Sequence, residues 1–372
     1  MRKINIPVGT SDFAEIRRKG YYYVDKTSLI RELLKTTGTK VTLITRPRRF
    51  GKTLGMSMLE KFFDIRKDSK SLFEGLEITS EQTMCSEWMN QWPVMNLSFK
   101  AVEGNDFSTA YRQLVFEIGE LYKKHEYLLE SAMLSEEDKK LFWSIKERQS
   151  GKIEVMRSLQ ILSQFLKKHY GKEVILLIDE YDVPVAKATN NGYYKEMLEI
   201  MKGLMQALKD NPSLRFAVIT GCLKIAKESI FTGTNNFVSD TITSTRLNEY
   251  FGFVQSEVEQ ILKDTDIEEK AEIIKKWYNG YHFGNFDVYC PWDVMCYLSD
   301  LQKSPEAKPD SYWKNTSDNA IIRSFIDFAG TSITKKLEVL MDGGYILQRV
   351  DENLTYDYLH SSEENLWSLL YL

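Results

Sequence analysis

Thr45-Arg-Pro-Arg-Arg-Phe-Gly-Lys-Thr-Leu54 is the stretch from which the fold of this chain can be read. Before it, Lys40 to Thr45 reads as a short strand. After it, Leu54, Met56, Met58, Leu59, Phe62, Phe63 and Ile65 recur at helical spacing and predict a helix over Thr53–Ile65. Strand, short loop and helix in that order put the loop at a helix N-terminus, where unpaired backbone amides favour an anion. Gly51 lets the backbone approach closely, Lys52 brings a cation, and Thr53 brings a hydroxyl suited to a hard divalent ion. The loop therefore reads as a phosphate cradle formed by Arg46, Pro47, Arg48, Arg49, Phe50, Gly51, Lys52, Thr53 and Leu54. One position departs from the usual pattern. Arg46 stands where a first glycine is expected, so the entry turn is made differently, with Pro47 fixing the backbone.

Gly-Lys-Thr alone says little, because a solvated turn before a helix gives the same letters. A second signal supplies the context. Val174-Ile-Leu-Leu-Ile-Asp-Glu180 is a continuous apolar run ending in two carboxylates, the pattern of a strand buried on both faces. Asp179 at the strand end is placed to hold Mg²⁺ through water, beside the Thr53 hydroxyl, and Glu180 to orient or deprotonate an attacking water. Both motifs in this order, each after an apolar strand, predict ATP and Mg²⁺ as ligands.

Further out, Pro93–Phe99 and Leu214–Thr220 read as strands, and Phe107–Leu121, Val155–His169 and Tyr193–Leu208 as helices. The alternation predicts an α/β fold with a parallel sheet. Beyond about residue 245 the pattern becomes helices separated by Gly, Asn and Pro clusters at 279–291 and 303–311, which puts a boundary near 245–255. Residues 1–245 are then the α/β core and 246–372 a second unit.

Composition limits the alternatives. With 43% hydrophobic and 27% charged residues in 372, the chain is neither disordered nor fibrous. A net charge of −4 excludes a uniformly basic coat for nucleic acid, although residues 1–66 carry 15 Lys/Arg against 6 Asp/Glu, a local +9. No apolar run approaches the roughly 20 residues needed to span a bilayer, and nothing at the N-terminus resembles a signal peptide, so a cytoplasmic protein without a membrane partner is expected. Cys85, Cys222, Cys290 and Cys296 lack CxxC spacing and read as reduced thiols, not as a zinc site.

At this point the sequence resembles the AAA-ATPase-like proteins of bacteria, which often carry a C-terminal PD-(D/E)XK nuclease-like domain. The resemblance rests on Ile6-Pro-Val-Gly-Thr-Ser-Asp-Phe13, Gly20-Tyr-Tyr-Tyr-Val-Asp-Lys-Thr27, the loop at 45–53 and Leu177-Ile-Asp-Glu-Tyr-Asp182. It continues through Thr220-Gly221, Trp277-Tyr-Asn-Gly-Tyr-His-Phe-Gly284, Pro291-Trp292 and Tyr312-Trp313, and makes Arg46 a family habit. No Asp followed by Glu-x-Lys on paired strands is found, so nucleic acid is expected as a partner only through a missing C-terminal domain. The apolar end Leu366-Trp-Ser-Leu-Leu-Tyr-Leu372 suits either a docked helix or a chain cut before a further domain, and the resemblance favours the cut.

The resemblance implies a P-loop NTPase core of the AAA+/STAND type, followed by a helical lid and a winged-helix-like region. Thr220 becomes a candidate sensor of the γ-phosphate or its water. His282 could contact a diphosphate from the lid, although a hydrogen-bonded structural histidine suits its setting better. Arg48 and Arg49 could neutralise phosphate or reach a neighbouring subunit, which leaves self-association open. Asp25–Thr27 reads as a helix cap, with Tyr21–Tyr23 as an alternative wall for the base. Two functions follow: an ATPase acting as a nucleotide-gated switch for an effector domain, or a non-hydrolysing scaffold with bound nucleotide. Retention of Glu180 favours the first.

Overall fold

A computed structural model describes residues 2–35, 38–224, 230–231, 237–313, 331–352 and 362–371. Its centre is a five-stranded sheet of β1 (Val41–Thr45), β2 (Val94–Ser98), β3 (Val174–Asp179), β4 (Leu214–Gly221) and β5 (Phe237–Asp240). All neighbours pair in parallel, in the order β2-β3-β4-β1-β5. Four of these strands are the expected ones. The fifth, Phe-Val-Ser-Asp, is too short and too polar to stand out by pattern.

The side-chain alternation of the strands explains the continuous apolar run of β3. Val174, Leu176 and Ile178 join one core cluster with Val41 and Leu43, whereas Ile175 and Leu177 join another with Ile44 and Val218. Helices cover both faces, so every position of β3 is buried. The helices Phe107–Lys123, Lys152–Tyr170 and Tyr194–Leu204 cover the first face. The second is covered by α1 (Phe13–Arg18), α2 (Ser28–Lys35) and α3 (Lys52–Phe63). The chain leaves β1 toward the β2 edge and leaves β4 toward β5 on the opposite side. Their C-terminal ends therefore diverge, and a crevice between diverging ends is where open α/β sheets take ligands.

The segment 279–291 corrects an expectation. It does separate two helices, Ala271–Tyr278 and Pro291–Lys303, but as an antiparallel hairpin, β7 (Asn279–Phe283) and β8 (Phe286–Tyr289), joined through Gly284-Asn285, and not as an irregular break. With β6 (Phe253–Val254) it makes a three-stranded sheet in the order β6-β8-β7. Alternating Tyr281, Phe283, Phe286 and Val288 around Gly-Asn are a hairpin signal that helical expectations obscured. Three helices, Gln255–Thr265, Ala271–Tyr278 and Pro291–Lys303, complete this smaller layer around its own core of Ile261, Tyr278, Tyr297 and Leu298. Farther on, Ile333, Leu366 and Trp367 return to the large core against the first face of the parallel sheet.

Candidate nucleotide site

The loop between β1 and α3 closes with Gly51 at φ 85, a left-handed conformation that glycine takes without strain. No side chain caps α3, so its first amides are directed at the loop's concavity. Lys52 is buried and folded back over the loop: its Nζ donates to the carbonyls of Arg46 (2.8 Å) and Pro47 (3.0 Å). Burial lowers the ammonium's proton affinity, but Cys222, Glu180, Asp182 and Asp179 together outweigh it and leave the pKa above that of an ordinary lysine. Lys52 is therefore a fixed positive charge.

Three residues singled out in the sequence meet at Asp179, which is itself buried. Thr53 Oγ1 donates to its Oδ2 at 2.8 Å, and the Thr220 hydroxyl donates to its Oδ1. The reason is topological. Because β4 lies between β1 and β3, the loop after β1, the end of β4 and the end of β3 are adjacent. Thr53 and Asp179 present one hydroxyl and one carboxylate, an all-oxygen pair of the kind Mg²⁺ takes from protein.

Glu180 follows at φ 55, a left-handed conformation that costs a non-glycine residue strain and recurs at functional sites. Burial raises its pKa, Asp182 and Asp179 add to this, and Lys52 and Arg48 pull the other way. The net shift upward makes it a stronger base than a solvated carboxylate. Asp182, quoted in the motif but assigned no role, is buried and accepts from the amides of Cys222 (3.0 Å) and Leu223 (3.1 Å). The Tyr181 hydroxyl donates to the Leu223 carbonyl at 2.8 Å. Together these two side chains hold the chain just after Thr220.

The first half of the loop is used differently. Arg46 and Pro47 do not line the cavity. The Arg46 guanidinium is 0% exposed and donates to the carbonyls of Thr45 (2.7 Å), Asp240 (2.9 Å) and Leu247 (3.1 Å), lying near the rings of Phe251 and Phe283. Burial draws its pKa down to about 10. Its side chain therefore braces the loop against the 240–247 segment and is turned away from the cavity. Phe50 packs on Tyr281 and Phe283 at ring separations of 4.7 and 5.1 Å. Arg48 is half-buried beside Cys222 and Glu180. Arg49 is exposed and stacks on Trp292, its guanidinium carbon 4.1 Å from the ring centre.

A cavity of about 480 Å³ runs from this loop to the N-terminal segment, within the size range of small-ligand sites. Arg48 to Gly55 and Glu180 line one part of it, Pro7 to Ser11, Tyr22, Tyr23 and Val24 another, and Phe253, Trp292 and Met295 a third. Tyr22 and Tyr23 of the expected aromatic wall thus reach the cavity; Tyr21 lines a second groove together with residues 6–12 and Glu15. Lys100, Glu103 and Lys187 close the rim near Glu180, with Lys187 and Glu103 paired at 3.1 Å. The rim residues were missed, and Trp292, quoted in the resemblance, was given no role, since no local pattern joins positions so far apart in sequence.

Two smaller expectations resolve. Asp25 accepts from the Thr27 amide (2.8 Å) and from the Glu77 amide (2.7 Å), so it braces the start of α2. His282 faces Asp287 across the hairpin at 2.8 Å, half-exposed and outside the cavity lining, which makes it a cross-strand partner and not a diphosphate contact. No helix among the described residues is long and apolar enough to cross a membrane.

The chain is similar to an uncharacterized protein in the vnfD 5' region of Azotobacter chroococcum mcd 1, with 29% identity over 319 residues. That alignment covers 85% of this chain and 55% of the relative, so the chain spans little more than half the relative's length. No solved structure matches. The profile of the family described as predicted AAA-ATPase matches residues 7–231, more than half of the sequence, and the chain belongs to that family.

Proposed function

We propose that this chain binds ATP with Mg²⁺ at the Gly51–Thr53 loop, hydrolyses it, and uses the nucleotide state to shift the small-sheet layer relative to the parallel sheet. The observation that carries the reading is the sharing of Asp179 between Thr53 of the loop and Thr220 of β4. It ties together the three elements that must act on one phosphate. Mg²⁺, held by the Thr53 hydroxyl and Asp179, would neutralise charge on the β- and γ-phosphate oxygens. Lys52 contributes fixed charge to the same oxygens. Glu180 orients the attacking water and accepts its proton on the carboxylate, a role its raised pKa favours. Thr220 holds Asp179 in register and sits where the γ-phosphate or its absence is felt.

Within the division into a 1–245 core and a 246–372 lid, the layer at 253–303 adds no residue to the large core and is the part assigned to shift. Residues near the C-terminus are packed into the large core. ATP and ADP are the ligands of this reading and the cytoplasm its setting.

The test is thermal unfolding with and without MgATP, together with phosphate release. A ligand at 100 times its Kd stabilises by about 2.7 kcal/mol, and Lys52→Ala should lose most of that gain. An equal gain in the variant would overturn the loop assignment. Binding without phosphate release would leave the nucleotide a structural ligand.

A further inference from the structure

Three arginines lie in the loop, and the structure gives each a different environment. Arg46 is buried and donates to three carbonyls. Arg48 is engaged beside Cys222 and Glu180. Arg49 is exposed at φ 73, and among the described residues its guanidinium makes no hydrogen bond or ion pair; its contact is the face of Trp292, at 4.1 Å. Both residues line the cavity with Lys52 and Thr53.

We infer that Trp292 is a positioning residue that presents Arg49 edge-on to the polyphosphate of the bound nucleotide, an inference that rests on the nucleotide reading above. A guanidinium stacked through its face keeps its N–H donors in the plane, directed away from the ring and open to an anion. Stacking also restricts a long side chain before the ligand arrives, so less freedom is lost when phosphate binds. The platform itself is anchored. Trp292 packs against the cluster of Phe50, Phe283, Val288 and Cys290, its Nε1 donates to the Tyr312 carbonyl at 3.4 Å, and it stands in the first turn of the helix Pro291–Lys303. Charge arriving at the loop is thereby transmitted to the start of that helix, in the small-sheet layer.

The experiment is a double-mutant cycle on the full chain, with MgATP, MgADP and adenosine binding measured by calorimetry for wild type, Trp292→Leu, Trp292→Phe, Arg49→Gln and Trp292→Leu/Arg49→Gln. A cation–π contact of this kind corresponds to a loss of about fivefold in ATP affinity for Trp292→Leu, with most of it recovered in Trp292→Phe. In the Arg49→Gln background Trp292→Leu should add nothing, and adenosine, which carries no phosphate, should bind all variants alike. Equal weakening by Trp292→Leu with and without Arg49, or equal weakening for adenosine, would overturn the inference and make Trp292 a wall of the base site or a fold element. The same loss in Trp292→Phe would also count against it. If wild type shows no ATP binding that depends on Lys52, the nucleotide reading and this inference fall together; Lys52-dependent binding with an additive cycle removes the inference alone.

Discussion

Within the loop between β1 and α3, Arg46 and the Gly51–Thr53 run are close in sequence and opposite in use. Gly51, Lys52 and Thr53 line the cavity, and the Thr53 hydroxyl donates to Asp179. Arg46 and Phe50 are directed away from that chemistry, into the 240–252 segment and the β7–β8 hairpin. Gly51, Lys52 and Thr53, which keep the expected phosphate-loop residues, line the cavity, whereas Arg46, which departs from them, braces the loop. A first glycine would leave the entry turn to the backbone alone. Arg46 instead satisfies three carbonyls at once, at the cost of burying a cation.

The sharpest way to break this comparison is Arg46→Ala. Removing a donor to three buried carbonyls should destabilise the protein by about 3–4 kcal/mol, read as a lower urea midpoint without nucleotide. A loss of ATP affinity with unchanged stability would place Arg46 among the phosphate ligands and erase the distinction. Glu180→Gln tests the opposite side of the cavity: turnover should fall by about 10²-fold while ATP affinity holds, the scale of a positioned general base. Equal turnover in both proteins would remove Glu180 from the reaction.

A smaller effect is expected where the bracing half touches Gly252. This residue has φ 94, donates its amide to the Phe50 carbonyl at 3.2 Å, and would drive an added Cβ into Val288 and against Phe50. Gly252→Ala should cost about 2 kcal/mol in unfolding free energy through strain and overpacking. An unchanged midpoint would mean that the loop is not braced there.

The smallest expected effect is a shift in pH dependence. Glu180 must be ionised to accept a proton, and because its pKa is raised, kcat/KM should fall as pH drops through a value above the ordinary glutamate range near 4.5. Asp182 is one of the neighbours that raise it. Asp182→Asn keeps an acceptor for the Cys222 and Leu223 amides but removes the charge, so the acid limb should move to lower pH. A limb that stays in place would assign it to another group.

Much of the site was legible because its chemistry is local. Strand, loop and helix follow one another at 41–63, and β3 displays its two carboxylates directly after its apolar run, so Lys52, Thr53, Asp179 and Glu180 could be named without coordinates. Thr220 was reachable through family resemblance and the end of a strand. Asp182 stood inside a quoted motif, yet its role depends on the chain after β4, which sequence does not place beside it.

What the sequence determined by itself was the α/β class, four of the five parallel strands and the loop and strand-end residues that gather at the candidate site, because period, apolar runs and turn chemistry are encoded within windows of ten to twenty residues. Tertiary structure alone decided the strand order that brings Thr53, Asp179 and Thr220 together, the turning of Arg46 away from the cavity, and the meeting of Arg49 with Trp292. Those outcomes depend on how elements far apart in the chain bury their apolar faces against one another. Nothing in a local window records which strand inserts between two others, or which ring a loop arginine will find.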